Sequence, residues 1–251
     1  MHGIFRRYRY RKIQKTNEDY FYAENNLFIV ADGMGGHMAG EVSSRIAVET
    51  FTENFSRSLK DKIKKTSSIK ETDNLTPPHI KELLLGSIRI ANREVSNEAA
   101  SNSGYYGMGT TFTGCYIQER KAYIIHVGDS RIYIKRGSEF NLLTSDHTIV
   151  GDLFRRGEIS YDDTFNHPQR NYLTRVLGVA EDIDPDFSSH EVLPEDILLI
   201  CSDGLNSMLK DEDISGIIGK YKNAQDIAKN LIKGAIKKGG LDNITAIVIK
   251  I

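Results

Sequence analysis

The stretch DYFYAENNLFIVAD, residues 19–32, decides the fold class. It holds an aromatic run, a polar break at Glu24-Asn25-Asn26 and a short apolar run, Leu27 to Ala31. Two strand-type runs about an Asn-containing break predict a β-hairpin. Beyond it, from Gly40 onward, Val42, Ile46, Ala47, Phe51 and Phe55 recur at helical spacing, with Glu41, Arg45, Glu49 and Glu53 between them. That is a helix with one apolar stripe. Residues 56–78 carry a run of lysines and serines and the Pro77-Pro78 pair, which reads as a helix end and a polar connection. A second helix is expected from His79 to Ala100, with Leu83, Leu84, Ile88 and Val95 on one side.

Strand signals return between Thr110 and Ile134, where TFTGCYI, AYIIHVG and RIYIK are separated by short polar turns. Ile197 to Cys201 reads as a buried strand, a helix follows with Ile227, Leu231, Ile232 and Ala235, and Ile244 to Ile251 reads as a strand. Hairpin-linked strands with helices inserted in pairs predict an α+β architecture in which helices cover antiparallel sheets. Residues 1–251 show no repeat or linker, so one domain is expected.

Composition narrows the partners. The chain is 39% hydrophobic and 27% charged with a formal net charge of −1, which excludes a broadly basic surface of the kind that coats nucleic acid. No apolar run approaches the ~20 residues of a membrane span, and MHGIFRRYRYRK has no apolar signal-peptide core, so a cytoplasmic location is expected. Cys115 and Cys201 each lie in apolar strand-like runs and lack zinc-site spacing, which predicts buried free thiols. Arg6, Arg7, Arg9, Arg11, Lys12 and Lys15 cluster near the start. The ordinary reading is a strand with a solvated basic face; contact with a substrate phosphate or an anionic partner is the other.

The chemistry lies in the acids. Asp32, Asp129, Asp203 and Asp242 all sit at the edges of apolar strands. Asp-Gly is a common turn dipeptide, so any one of them alone would read as a turn; the repetition weakens that reading. If the strand ends share a rim, the carboxylates converge and repel unless a cation neutralises them. All-oxygen ligands favour Mg²⁺ or Mn²⁺ over zinc. Two such ions acidify a water and clamp a phosphoryl group, which points to phosphoester hydrolysis. Gly33 leaves its carbonyl room to reach an ion beside Asp32. The Gly-rich run 33–40 lacks both P-loop and GxGxxG spacing, so a nucleotide site is not expected.

Seven segments in order resemble the metal-dependent type 2C protein phosphatases, particularly their bacterial members: Asn17-Glu18-Asp19, Ala31-Asp32-Gly33-Met34-Gly35-Gly36, Gly107-Met108-Gly109-Thr110-Thr111, Val127-Gly128-Asp129-Ser130-Arg131, Ser145-Asp146-His147, Ser202-Asp203-Gly204 and Asp242-Asn243. The resemblance implies a four-layer α/β/β/α sandwich, two antiparallel sheets flanked by helix pairs. It implies a phosphoprotein phosphatase that hydrolyses phosphoserine and phosphothreonine by direct attack of a water bridging two metal ions, with no covalent intermediate. Asp32 would bridge both metals, the Gly33 carbonyl would bind one, and Asp203 and Asp242 the other. Asp129 with Asp203 would hold a third, weaker ion, and Glu18, Asp19 and Thr111 would act through metal-bound waters. Residues 146–178 correspond to the family's mobile flap. The implied partners are phosphorylated proteins of a cognate Ser/Thr kinase, with the enzyme a monomer.

Two positions depart from the pattern. Gln14 stands where many relatives carry an Arg that grips the substrate phosphate, and a neutral amide cannot make that bidentate contact unless Arg11, Lys12 or Lys15 substitutes. Met34 replaces the His that eukaryotic members place after Asp-Gly, as it does in bacterial relatives; His37 and His126 are then weak candidates for a general acid, and a metal-bound water is preferred. Two alternatives stay open: a catalytically weak phosphoprotein-binding module, motivated by Gln14, and a phosphatase of an anti-sigma-factor antagonist.

Overall fold

The computed structural model describes residues 4–10, 17–35, 39–66 and 75–251. Its strands are β1 (Ile4–Tyr10), β2 (Asp19–Glu24), β3 (Leu27–Met34), β4 (Gly109–Thr110), β5 (Phe112–Gln118), β6 (Lys121–Val127), β7 (Arg131–Arg136), β8 (Glu139–Leu142), β9 (Asp186–Glu191), β10 (Ile197–Cys201) and β11 (Ile244–Lys250). The α-helices are α1 (Ala39–Thr66), α2 (Pro77–Ser101), α3 (Ile149–Arg155), α4 (Tyr161–Asn166), α5 (Asp203–Asn206), α6 (Asp211–Lys220) and α7 (Ala224–Lys237). The strands form two antiparallel sheets, ordered β2-β3-β5-β6-β9 with β4 beside β3, and β1-β11-β10-β7-β8.

Alternation along each strand divides the apolar side chains among three cores, and this is what makes four layers. In β3, Leu27, Ile29 and Ala31 face Phe51, Phe55, Leu84 and Ile88 of α1 and α2, whereas Phe28 and Val30 face the other way. In β10 and β11, Leu199, Cys201, Ala246 and Val248 face Leu231 and Ala235 of α7, whereas Leu198, Ile200, Ile247 and Ile249 meet Phe28 and Val30 between the sheets. A strand buried on both faces reads as a continuous apolar run, because both sets of side chains leave water. Each such Ile, Leu or Phe contributes about 2 kcal/mol on burial. The expected α+β sandwich is the observed one, and Cys115 and Cys201 are buried free thiols.

The hairpin turn has its physical cause in Asn25 and Asn26, both with positive φ (52° and 60°). Asn tolerates this region because its short polar side chain bonds locally, and two such residues match the twist of a two-residue hairpin. Helix α1 runs ten residues beyond the expected break at Ser56, to Thr66. Lysine and arginine are good helix formers, Leu59 packs on the first core and Lys62 pairs with Glu82 of α2 at 2.9 Å. Helix α2 starts on Pro77, where a missing N–H costs nothing. Strands β8 and β9 and helices α3, α4 and α6 escaped the periodicity reading because they are short or largely polar.

Of the basic cluster, the backbone of Arg6, Arg7 and Arg9 pairs with β11 at a sheet edge. Arg11, Lys12, Gln14 and Lys15, all candidates for phosphate contact, lie outside the described residues, as does His37. No helix among the described residues is long and apolar enough to cross a membrane.

Candidate active site

The hairpin register sets Asp19 directly opposite Asp32. Around Asp32 the backbone is held from three sides: its N–H donates to Thr111 Oγ1 at 2.9 Å, and its carbonyl accepts from Thr110 Oγ1 and from the Thr111 N–H, each at 2.9 Å. Thr111 Oγ1 is in turn 2.9 Å from Ser130 Oγ. Asp129 follows the end of β6, Asp203 opens α5 at the end of β10, and Asp242 stands just before β11. Because β10 and β11 are antiparallel, the end of one and the start of the other fall at the same edge, the one that carries Asp32.

Polar side chains join the two sheets at this edge. Asp19, 1% exposed, accepts from Ser202 Oγ at 2.8 Å and from Thr245 Oγ1 at 2.6 Å through Oδ2. Glu18 N–H donates to Asn243 Oδ1 at 2.7 Å, and the Glu18 carbonyl accepts from Ser44 Oγ at 2.6 Å and from Gly33 N–H at 3.1 Å. Gly33 packs without side-chain room: a Cβ there would collide with the Gly40 carbonyl oxygen and come within 2.8 Å of the Glu18 carbonyl oxygen. A Cβ on Gly40 would sit 2.5 Å from Glu18 Oε2 and 2.8 Å from the Gly33 oxygen.

The carboxylates perturb one another strongly. Burial, then Asp19, Asp203, Asp242 and Asp129, hold Asp32 well above the usual carboxylate range. Asp203 is raised to about 7 by burial and Asp242, with a hydrogen bond to Asp32 acting in the opposite sense. Asp129 is raised by burial, Asp203 and Asp146, offset in part by Arg131, and Glu18 by burial and Asp242. The four predicted strand-edge acids therefore share one electrostatic neighbourhood.

The residues fit divalent cations. Asp203 Oδ1 is buried with no hydrogen-bond partner among the described residues, an acceptor that needs a cation or donor. The donor set is all oxygen, which suits Mg²⁺ or Mn²⁺. Among the described residues no group of three or more His, Cys, Asp or Glu side chains is placed to hold a metal ion by itself.

Motif reading named Arg131 and Asp146 without giving them a task. The Arg131 guanidinium grips Asp146 with three contacts of 2.9, 3.2 and 2.6 Å and donates to Tyr133 Oη at 2.9 Å, pinning the segment after β8 beside Asp129. Ser202 and Thr245, the anchors of Asp19, were missed; Ser202 lay within a quoted motif, whereas Thr245 carries no sequence signal. His126 is buried, bonded to Thr113 Oγ1 at 2.9 Å and to the Ser145 carbonyl at 3.2 Å, and burial lowers it to about 4. Those bonds occupy both ring nitrogens.

Comparison with known proteins agrees with this geometry. A family model described as Protein phosphatase 2C matches residues 9–226. The chain belongs to the protein phosphatase 2C family. Its enzyme class is accordingly that of a phosphoprotein phosphatase. The serine/threonine phosphatase stp of Listeria monocytogenes is 36% identical over 254 aligned residues, covering 100% of this chain and 96% of that protein. The crystal structure of the Mycobacterium tuberculosis serine/threonine phosphatase PstP/Ppp superposes with a TM-score of 0.85 at 30% identity, covering 99% of this chain and 98% of that one. A structure of the PstP catalytic domain in complex with two manganese ions matches with a TM-score of 0.81 at 27% identity, covering 99% of each chain. The type 2C family and its fold, expected from the seven motifs, are thus those found.

Proposed function

We propose that this type 2C phosphatase hydrolyses phosphoserine and phosphothreonine on proteins, with two divalent cations held by Asp32, the Gly33 carbonyl, Asp203 and Asp242. The convergence of raised, mutually repelling carboxylates around the buried Asp203 Oδ1 carries this reading. When bound, such ions supply a water acidified toward neutral pH and an electrophilic hold on the phosphoryl oxygens. The chain's own part is to orient. Thr110 and Thr111 fix the Asp32 backbone, Asp19 braces β10 and β11 against β2, and the crowding of Gly33 by Gly40 and Glu18 holds the Gly33 carbonyl in place. Glu18, Asp19 and Thr111 would act through water, and Asp129 with Asp203 would take a third, weaker ion.

Residues 1–251 are read as one catalytic unit with residues 146–178 as its flap. This segment carries α3 and α4 and is closed at its base by a Thr148–Leu173 bridge and a 2.8 Å bond from Thr174 N–H to the His147 carbonyl. The partners would be phosphoproteins of a cognate Ser/Thr kinase, met by a monomer in the cytoplasm. The full acidic set speaks against a mere binding module.

The test is hydrolysis of a phosphothreonine peptide with Mn²⁺, with Mg²⁺ and with chelator, beside Asp203→Asn. Turnover that needs both metal and Asp203 is expected. Silence of the native protein under every condition would refute the hydrolase reading, and substantial turnover by Asp203→Asn would refute the ligand assignment.

A further inference from the structure

A cavity of about 240 Å³ opens between the α3–α4 segment and the acidic rim, and both Asp129 and Asp203 line it. At about 30 Å³ per liquid water it holds roughly eight waters, or one large side chain. One side of its wall is apolar: Phe154, Tyr161 and Phe165 stack edge to face, with centroids 5.9 and 5.3 Å apart, and Leu142 and Val150 adjoin them, while polar and charged side chains, Arg131, Asp146, Arg155 and Arg170 among them, line the rest. Phe154 and Leu142 are 44% and 37% exposed, among the few large apolar side chains that water reaches.

The cations in the lining are engaged. Arg131 is bound to Asp146 and Tyr133. Arg155 donates to Ser145 Oγ at 2.6 Å and to the Asp146 carbonyl at 2.8 Å, and pairs with Asp152. Arg170 donates to the Phe165 carbonyl at 3.5 Å. The aromatic wall is itself fixed: Lys210, ahead of α6, lies 5.4 Å over the Phe165 ring and pairs with Asp162 at 2.6 Å. With Arg131 and Arg155 engaged, the aromatic side of the recess favours an apolar occupant, whereas Asp129 and Asp203 at its rim end are left to a cation.

We infer that this cavity receives a large apolar side chain, aromatic or branched aliphatic, from a residue flanking the phosphorylated one, and that Phe154, Tyr161 and Phe165 set this preference. The inference rests on the hydrolase reading above. Because Asp129 and Asp203 belong to both rim and cavity, a peptide whose phosphoryl group sits at the rim must lay its flanking residues along the cavity mouth, each extended residue advancing about 3.5 Å.

The experiment walks a phenylalanine through each position flanking phosphothreonine in an otherwise alanine-rich peptide and reads kcat/KM with Mn²⁺. One position should exceed its alanine counterpart by about tenfold, the discrimination an apolar pocket commonly gives. In Phe154→Ala and in Phe165→Ala that ratio should fall toward 1. A ratio does not depend on the fraction of enzyme that is folded, so partial misfolding of a variant cannot imitate the result. Brisk hydrolysis by the native enzyme with no positional preference would overturn the pocket assignment alone, as would a preference that both variants keep. No hydrolysis of these peptides or of a small aryl phosphate would overturn the hydrolase reading with it.

Discussion

Replacing Asp203 by Asn should destroy turnover and yet stabilise the metal-free protein at alkaline pH. The Asp203 carboxyl is displaced from 3.8 to about 7, chiefly by burial and by Asp242. At about 1.4 kcal/mol per pH unit, this is an upper bound of about 4 kcal/mol of unfavourable energy in the ionised folded state. Solvent screening at the partly exposed side chain reduces it to about 2 kcal/mol. The sign follows from proton uptake. Between the unfolded value near 4 and the folded value near 7 the native state binds more protons, so stability falls as pH rises through this window and stays low above it. In chelator, Asp203 alone should therefore cost the native protein about 2 kcal/mol between pH 5 and pH 8, with Asp32, Asp129 and Glu18 adding to the loss, whereas Asp203→Asn should lose clearly less and at pH 8 melt about 6 °C higher. Thermal or urea unfolding at both pH values measures this. Adding Mn²⁺ should reverse the order, because only the native rim binds it tightly. An Asn variant less stable than native protein in chelator at pH 8 would show that Asp203 is not strained by its neighbours and would sink the argument for clustered charge.

Gly33→Ala should cost about 2 kcal/mol and most of the activity, because its methyl meets two backbone carbonyls that cannot rotate away; native stability by urea unfolding would contradict this. Arg131→Lys keeps the charge but loses the fork that holds Asp146 and Tyr133, so a loss of about 2 kcal/mol is expected, and an unchanged melting curve would refute the clamp. Gln14→Arg should lower KM for a phosphothreonine peptide severalfold with little change in kcat; an unmoved KM would mean that another cation already binds the phosphate.

Much of this protein is legible in its sequence, for reasons that can be named. The hairpin at 19–32 follows from local chemistry, since two asparagines that tolerate positive φ separate two strand-forming runs. The continuous apolar runs at 27–31 and 197–201 signal strands covered on both faces, and the strand-edge acids mark the rim. Motif order then points to the family. Local signals of this kind survive because each depends on a few adjacent residues.

Only the tertiary structure decided the rest. That Asp19 is braced by Ser202 and Thr245, respectively 183 and 226 residues away, depends on two sheets meeting, and no window of sequence contains both partners. The clamp of Arg131 on Asp146 and the aromatic cavity under α3 and α4 arise likewise from chain segments that touch only after folding. The raised state of Asp203 has the same origin: its cause is the loss of water and the approach of Asp242, and both are properties of the packed rim and not of the residue.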